Sequence, residues 1–393
     1  MENNKEILIE RTKNIFFRRY NHYPDVISVS PGRVNIIGEH VDYTKGLSMP
    51  VAIDKYLCVA ISKNNKNTID VYSENLKESY TSKLDKISNH KIWHKYVQGS
   101  ILESVKDLDY NGGLELVINS NIPMGKGISS SAALELSIVC STLKLFNVHL
   151  KDEEIINRCQ RVDHNYVGIK SGKLDQSACL LSKNKSVFII DFADLSIDYI
   201  PINFEKVSWV LIDSGIRREL ATSKYHRRVE QCEEAFKILL KENKNLENFR
   251  DIDESKYFLI DLLPSKLKRR VTHIISENKR VLSMKNAIKN NQFSEIGNIL
   301  CKSHESLRDN YEVSCEEIDF LVDSSRELEY WYGGRIMGGG FGGSTINLIK
   351  EGAEEVYIEL ISEMYEKKFN VRCESMIITF VDGVKTIDNI RAN

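Results

Sequence analysis

Pro123-Met124-Gly125-Lys126-Gly127-Ile128-Ser129-Ser130-Ser131-Ala132-Ala133 joins an apolar run to a long helical pattern through glycines, hydroxyls and then small helix formers. Such a stretch can cradle a phosphate. Glycines let the backbone approach an anion, and serine hydroxyls add donors. A helix starting near Ser129 would aim its unpaired N–H groups and positive dipole end at the same point. A serine-capped helix after a tight turn has the same sequence, so the segment acquires meaning only from its company.

Two common phosphate motifs do not account for it. The P-loop pattern needs four residues between its first glycine and Gly-Lys-[Ser/Thr], whereas here Lys126 lies directly between Gly125 and Gly127. The dinucleotide fingerprint Gly-x-Gly-x-x-Gly occurs at Gly338, Gly340 and Gly343. It leads into the strand-like Thr345-Ile346-Asn347-Leu348-Ile349 instead of opening a helix.

The chain has 393 residues, more than one core of ordinary size, so two domains with a cleft between them are expected. With 6 prolines, 21 glycines and no low-complexity stretch, the two should be closely joined. A net charge of −2 offers no electrostatic footprint for nucleic acid or an anionic membrane. The start, Met1-Glu2-Asn3-Asn4-Lys5-Glu6, is polar, and no later run has the length of a membrane span. These features predict a cytoplasmic protein. Eight scattered cysteines (Cys58, Cys140, Cys159, Cys179, Cys232, Cys301, Cys315 and Cys373), none in Cys-x-x-Cys spacing, predict reduced core residues rather than disulfides or a zinc site.

Periodicity predicts an amino-terminal helix through Phe17 and strands at Val26–Ser30, Ser48–Ile53, Leu57–Ser62 and Ile69–Ser73. A helix from Lys95 to Val105, a strand at Leu114–Ile118 and helices at Ala132–Phe146 and Asp152–Val167 follow. Strands at Ser186–Asp191 and Ser208–Asp213 flank a change of unit near residue 200. Beyond it the pattern is helical (Ser223–Leu240, Lys266–Lys289, Phe293–Leu307, Cys315–Leu328). Strands then return at Arg335–Met337, Thr345–Ile349 and Met376–Val381 around a helix from Ala353 to Phe369. Strands in blocks make the fold class α+β, divided here into residues 1–200 and 201–393.

Two further clusters give the glycine-serine segment its company. Pro31-Gly32-Arg33-Val34-Asn35-Ile36-Ile37-Gly38-Glu39-His40-Val41-Asp42-Tyr43 sets five polar or charged side chains within ten residues of a strand end. Gly333-Gly334-Arg335-Ile336-Met337-Gly338-Gly339-Gly340-Phe341-Gly342-Gly343-Ser344 is a tight glycine loop. Together the three segments resemble the GHMP sugar and metabolite kinases. The first signature of the galactose-phosphorylating branch, Gly-Arg-Val-Asn-Leu-Ile-Gly-Glu-His-x-Asp-Tyr, is matched from Gly32 to Tyr43 with one conservative change. Motif order agrees, as do connecting pieces such as Trp93-His94-Lys95-Tyr96-Val97 and Lys173-Leu174-Asp175-Gln176. The resemblance covers nearly the whole chain. It implies a two-domain GHMP kinase fold with the active site in the interdomain cleft, and ATP-dependent phosphorylation of the anomeric hydroxyl of D-galactose to α-D-galactose 1-phosphate.

By that resemblance Asp175 faces the anomeric hydroxyl and Arg33 lies beside it. The pairing suits phosphoryl transfer, whose loose transition state needs positioning, charge neutralisation and an acceptor for the hydroxyl proton. Glu39, His40 and Asp42 are the implied sugar clamp, completed by Gly172 and Tyr225. Gly125, Lys126, Gly127, Ile128, Ser129, Ser130 and Ser131 would take the phosphates of ATP, with Ser131 near Mg2+. Asp163 stands where the family usually carries glutamate and is the candidate second magnesium contact. Trp93 and Tyr96 match adenine-contacting aromatics, with helix packing as the alternative. The loop from Gly338 to Gly343 would close against the site and support the other two segments, or simply turn between strands. The partners implied are a small sugar and ATP, with the chain a monomer or weak oligomer.

Two lysines depart from the family pattern. Lys126 replaces a small residue in the cradle, and a solvated surface position is expected for its ammonium more than a phosphate contact. Lys173 replaces an apolar residue two positions before Asp175, where it could pair with the carboxylate of a galacturonate. Glu39 argues against that, since a carboxylate reaching for the six-position hydroxyl would repel a uronate. Amino-sugars, arabinose and fucose stay open as acceptors, and so does a non-catalytic relative that only senses galactose and ATP. The intact Ser129–Ala133 run, Arg33 and Asp175 favour an enzyme.

Overall fold

In the computed structural model, residues 4–84, 91–110, 112–123, 125–217 and 221–388 are described; Met124 of the opening segment lies outside them. Twelve strands among these residues form two sheets: β1 (Val26–Ile37), β2 (Leu47–Asn64), β3 (Ile69–Ser73), β4 (Glu78–Ser82), β5 (Gly113–Ser120), β6 (Ser186–Asp191), β7 (Ile197–Pro201), β8 (Val207–Asp213), β9 (Trp331–Ile336), β10 (Ser344–Lys350), β11 (Glu374–Ile378) and β12 (Lys385–Asp388). The first sheet runs β12-β1-β2-β5-β3-β4, with β6 paired to β2 and to β7. The second runs β11-β8-β10-β9.

β1 is buried along its whole length, although it carries Arg33 and Asn35. Buried polar groups must find partners, so these two side chains are committed to specific contacts from the start. The β1–β2 register shifts between Pro31 and Gly32, where a proline lacks its N–H and a glycine allows close approach. A Cβ on Gly32 would stand 2.8 Å from the carbonyl oxygen of Ile128, so the glycine seats the glycine-serine segment directly on β1.

One apolar core joins the two sheets. It contains Val34, Ile53, Leu116 and Val187 from the first and Trp209, Leu211, Ile346 and Ile378 from the second. A second core packs the helices Ser265–Lys289, Glu316–Ser325 and Glu354–Phe369 against the second sheet, through Val210, Ile212 and Ile336. The tail then crosses back: Ile53 bridges to Phe380, and β12 pairs with β1.

Several elements differ from the sequence expectation. The runs at Ser48–Ile53 and Leu57–Ser62 are one strand, β2. The helix expected over Asp152–Val167 is α-helical over Asp152–Arg161 and then widens into a π turn, Val162–Val167, ended by Gly168 at φ 90. β4 and β12 carry little apolar signal because both are poorly buried, and the helix Leu174–Leu181 is too short for periodicity to reveal. No helix among the described residues is long and apolar enough to cross a membrane.

Candidate active site

The helix Ser130–Leu145 begins at Ser129, which sits in the left-handed region at φ 57 and makes no side-chain cap to the helix. Its hydroxyl instead donates to Oδ2 of Asp175. The first N–H groups of the helix therefore lack the partner a capping serine would give them, as an anion site requires.

Arg33 ties this segment to the acid. Its Nε donates to Oδ1 of Asp175 at 2.7 Å, its Nη2 lies 2.5 Å from the same oxygen, and its Nη1 donates to the Gly127 carbonyl at 2.7 Å. The Arg33 backbone N–H takes the Ile128 carbonyl at 3.1 Å, and the Ser344 hydroxyl takes the Lys126 carbonyl at 3.1 Å. Three consecutive carbonyls of the cradle are thus engaged by neighbouring groups. Burial works against the Arg33 charge, but Asp175 and Glu39 more than offset it and hold its pKa above the ordinary value.

A cavity of about 250 Å³ opens beside this pair. It is lined by Arg33, Glu39, His40, Asp42, Gly172 and Asp175 from the first half of the chain, together with Tyr225, Gly338 and Gly339 from the second. Ser131, Asp163 and Tyr96 border it too. Glu39 is held by Asn35 Nδ2 at 2.8 Å and the Gly338 N–H at 2.7 Å, with the Arg335 guanidinium 3.3 Å away. The Gly338 loop therefore braces the clamp, and its Ser344 braces the cradle.

His40 shares Nδ1 with the Tyr43 hydroxyl at 2.9 Å, while its Nε2 is buried without a hydrogen-bond partner among the described residues. Burial, with His273 and Arg228 nearby, pulls His40 down to about 3, so the ring is neutral. Burial, with Asp175 and Glu39 close by, pushes Asp42 up to about 7. Gly172 packs hard on this acid: a Cβ there would lie 1.8 Å from Asp42 Oδ2.

Asp163 rides the π turn, a distortion common at functional sites. Its Oδ2 accepts from Ser171 Oγ at 2.5 Å and from Gln176 Nε2 at 3.1 Å, and the same amide donates to Glu135 at 3.0 Å. Burial and the adjacent Asp163 push Glu135 well above the carboxylate range, so it stands as a neutral acid. A hydroxyl and a carboxylate on one wall fit Mg2+, a hard ion that takes few protein ligands and completes its shell with phosphate and water. The described residues contain no cluster of three or more His, Cys, Asp or Glu side chains able to hold a metal.

Not every expected residue reaches this cavity. Of the cradle only Ser131 lines it; Gly127 and Ser129 are joined to it through Arg33 and Asp175, and the Ile128 side chain is core. Trp93 packs against Tyr80 at 5.2 Å and His94 at 4.4 Å, away from the cavity. Tyr96 is mostly buried on the cavity wall beside Ser131 and Asp163. Lys126 corrects the solvated-surface expectation. Its side chain is 11% exposed and paired with Asp213 and Glu374, because two acids of the second sheet converge on it. Lys173 lines a neighbouring cleft with Glu153, Gln160 and Asp194, on the far side of the Asp42–Gly172 wall.

The sequence reading missed the groups that hold the clamp from behind. Buried Glu277, on the helix Ser265–Lys289, accepts from the Gly38 N–H at 3.0 Å and the Glu39 N–H at 3.3 Å, and is anchored by Arg280 at 2.7 Å and Ser303 at 2.8 Å. Burial would raise Glu277, yet Arg280, His273 and Arg335 pull it down to about 2. A lone acid inside a helical pattern gives no sequence signal for this role.

An acid paired with a buried arginine, a helix start whose serine does not cap it and a polar cavity beside them suit a small-molecule kinase of the GHMP type. Family models agree: GHMP kinases N terminal domain matches residues 95–183, GHMP kinases C terminal matches 284–367, and the galactokinase galactose-binding signature matches 14–63. The chain is 37% identical to a galactokinase of Thermosipho africanus and 35% identical to one of Thermotoga neapolitana. Each alignment covers 91% of this chain and 99% of the relative. Its fold superimposes on the crystal structure of Lactococcus lactis galactokinase complexed with galactose with a TM-score of 0.89, at 27% identity, over 96% of this chain and 99% of that one. The chain belongs to the galactokinase family, and it is a sugar kinase with ATP as co-substrate.

Proposed function

We propose that this cavity transfers the γ-phosphoryl group of ATP to the anomeric hydroxyl of D-galactose, giving α-D-galactose 1-phosphate and ADP. The observation that carries the reading is the Arg33 guanidinium, bonded at once to Asp175 and to the Gly127 carbonyl. One rigid cation then registers the sugar half against the phosphate half, and positioning is most of what this reaction needs.

Asp175 is the proton acceptor. Oδ1 takes two donors from Arg33 and Oδ2 takes Ser129, so Oδ2 keeps an acceptor position for the sugar hydroxyl. Arg33 neutralises charge as the phosphoryl group moves, and being permanently protonated it does so without titrating. Ser131 and Asp163 would hold Mg2+, which supplies charge neutralisation on the phosphate oxygens when bound.

Glu39, Asp42 and His40 receive the sugar hydroxyls. Galactose is favoured over galacturonate because Glu39 lines the cavity while Lys173 does not. The division into residues 1–200 and 201–393 is part of this reading, with the tail strand crossing back. So is a cytoplasmic setting for a monomer or weak oligomer.

A panel of sugars with ATP and Mg2+, read by ADP release, tests the reading. Galactose is expected to turn over fastest. A galacturonate preference would overturn the sugar assignment, and an Asp175→Ala variant running at the wild-type rate would overturn the mechanism.

A further inference from the structure

Lys126 lies between two glycines that both take positive φ, Gly125 at 74 and Gly127 at 74. Backbone of this kind samples many conformations unless something fixes it. Three residues of the second sheet do so, and they form a single row. Ser344 on β10 and Glu374 on β11 are both register partners of Asp213 on β8. The Ser344 hydroxyl donates to the Lys126 carbonyl at 3.1 Å; Asp213 and Glu374, the latter at 2.8 Å, hold its ammonium.

The row is costly without a cation. Two carboxylates directly opposite each other on neighbouring strands repel, and Asp213 is buried. Arg217 meets Asp213 with Nη1 at 2.9 Å and Nη2 at 2.7 Å, and Lys126 bridges the same buried acid to Glu374, whose side chain is 74% exposed. The ammonium thus completes two acid–cation pairs while turning away from the cavity that Ser131 and Asp175 line.

We propose that Lys126 is a positioning residue for ATP: it hooks the phosphate cradle onto the Asp213–Glu374–Ser344 row and fixes the backbone between the two glycines, without touching phosphate. This rests on the cradle being the ATP site, and the first measurement separates the two claims. Wild-type enzyme that releases no ADP from ATP and galactose would sink the proposed function itself. With turnover established, Lys126→Met keeps the stem and removes the charge. It should raise the KM for ATP about tenfold while the KM for galactose stays within twofold, and Lys126→Arg should recover most of the loss.

Glu374→Gln decides how the lysine acts. A hook predicts a smaller rise in the KM for ATP, and no further rise when the change is added to Lys126→Met, because both remove one interaction. A lysine that reached phosphate would be released by Glu374→Gln, and a fall in the KM for ATP would overturn the proposal. So would an unmoved KM for ATP in Lys126→Met, or equal rises for ATP and galactose together with a lowered melting temperature.

Discussion

Asp175 and Asp42 are both carboxylates of one small cavity, yet their surroundings give them different work. Asp175 is paired to a permanent cation, so replacing it with asparagine should cut kcat by about 10²–10⁴ with little change in the KM for ATP, as steady-state kinetics would read. Asp42 has no such partner among the described residues and is pushed up to about 7. If its carboxylate form accepts from the sugar, kcat/KM for galactose is full above that pH and falls below it, approaching tenfold per unit. Asp42→Asn should flatten the limb; a wild-type profile level from pH 8 to 5.5 would contradict this. Gly172→Ala drives a methyl into the same carboxylate and should raise the KM for galactose at least tenfold, with the KM for ATP unmoved. That Asp42, Gly172 and Asp175 belong together was legible because each lies in a short motif that resembles a family's, and the structure brings the three to one cavity. Asn35 belongs to the motif but its task does not show there: it holds Glu39 through a side-chain bond. Arg335 and Glu277 reach the clamp from about 300 and 240 positions away, and only packing brings them there.

Among the elements, the helix Ser265–Lys289 carries the least expected duty. Its Glu277 is an anionic cap for the turn that presents Glu39, although the turn belongs to the other half of the chain. Glu277→Gln keeps an acceptor but strands Arg280, so it should cost about 3 kcal/mol of stability by denaturant titration and raise the KM for galactose severalfold. An unchanged KM for galactose would make Glu277 a stability residue only. Long strands and helices were readable from their apolar periodicity, which burial on one or both faces enforces. The π turn was not, because widening a helix by one residue leaves composition untouched while re-aiming Asp163. β12 was not either, since an exposed edge strand needs no apolar pattern.

At the scale of the whole molecule, two family models match separate segments, residues 95–183 and 284–367, but the main core contains side chains from both sheets. Phe380 is the junction: it is buried, bridges to Ile53 of β2 and lies 5.7 Å from the ring of Trp209 on β8. Thermal unfolding should therefore be a single cooperative transition, and calorimetry resolving two well-separated peaks would contradict a shared core. Phe380→Ala should lower stability by about 3 kcal/mol, seen as a lower denaturant midpoint. A strand order that a sequence cannot state, the tail closing on β1, makes this coupling possible.

The serine at the start of the helix Ser130–Leu145 gives its hydroxyl to Asp175 and leaves the helix without its own cap, an omission worth about 1 kcal/mol. On the proposed reading, the phosphates of ATP would take the place of that cap. ATP should slow amide hydrogen exchange across the first turn, at Ser130 to Ala133, far more than galactose does, and each departing ADP should let that turn fray again. On that reading, the first turn of this helix would tighten and loosen once per catalytic cycle.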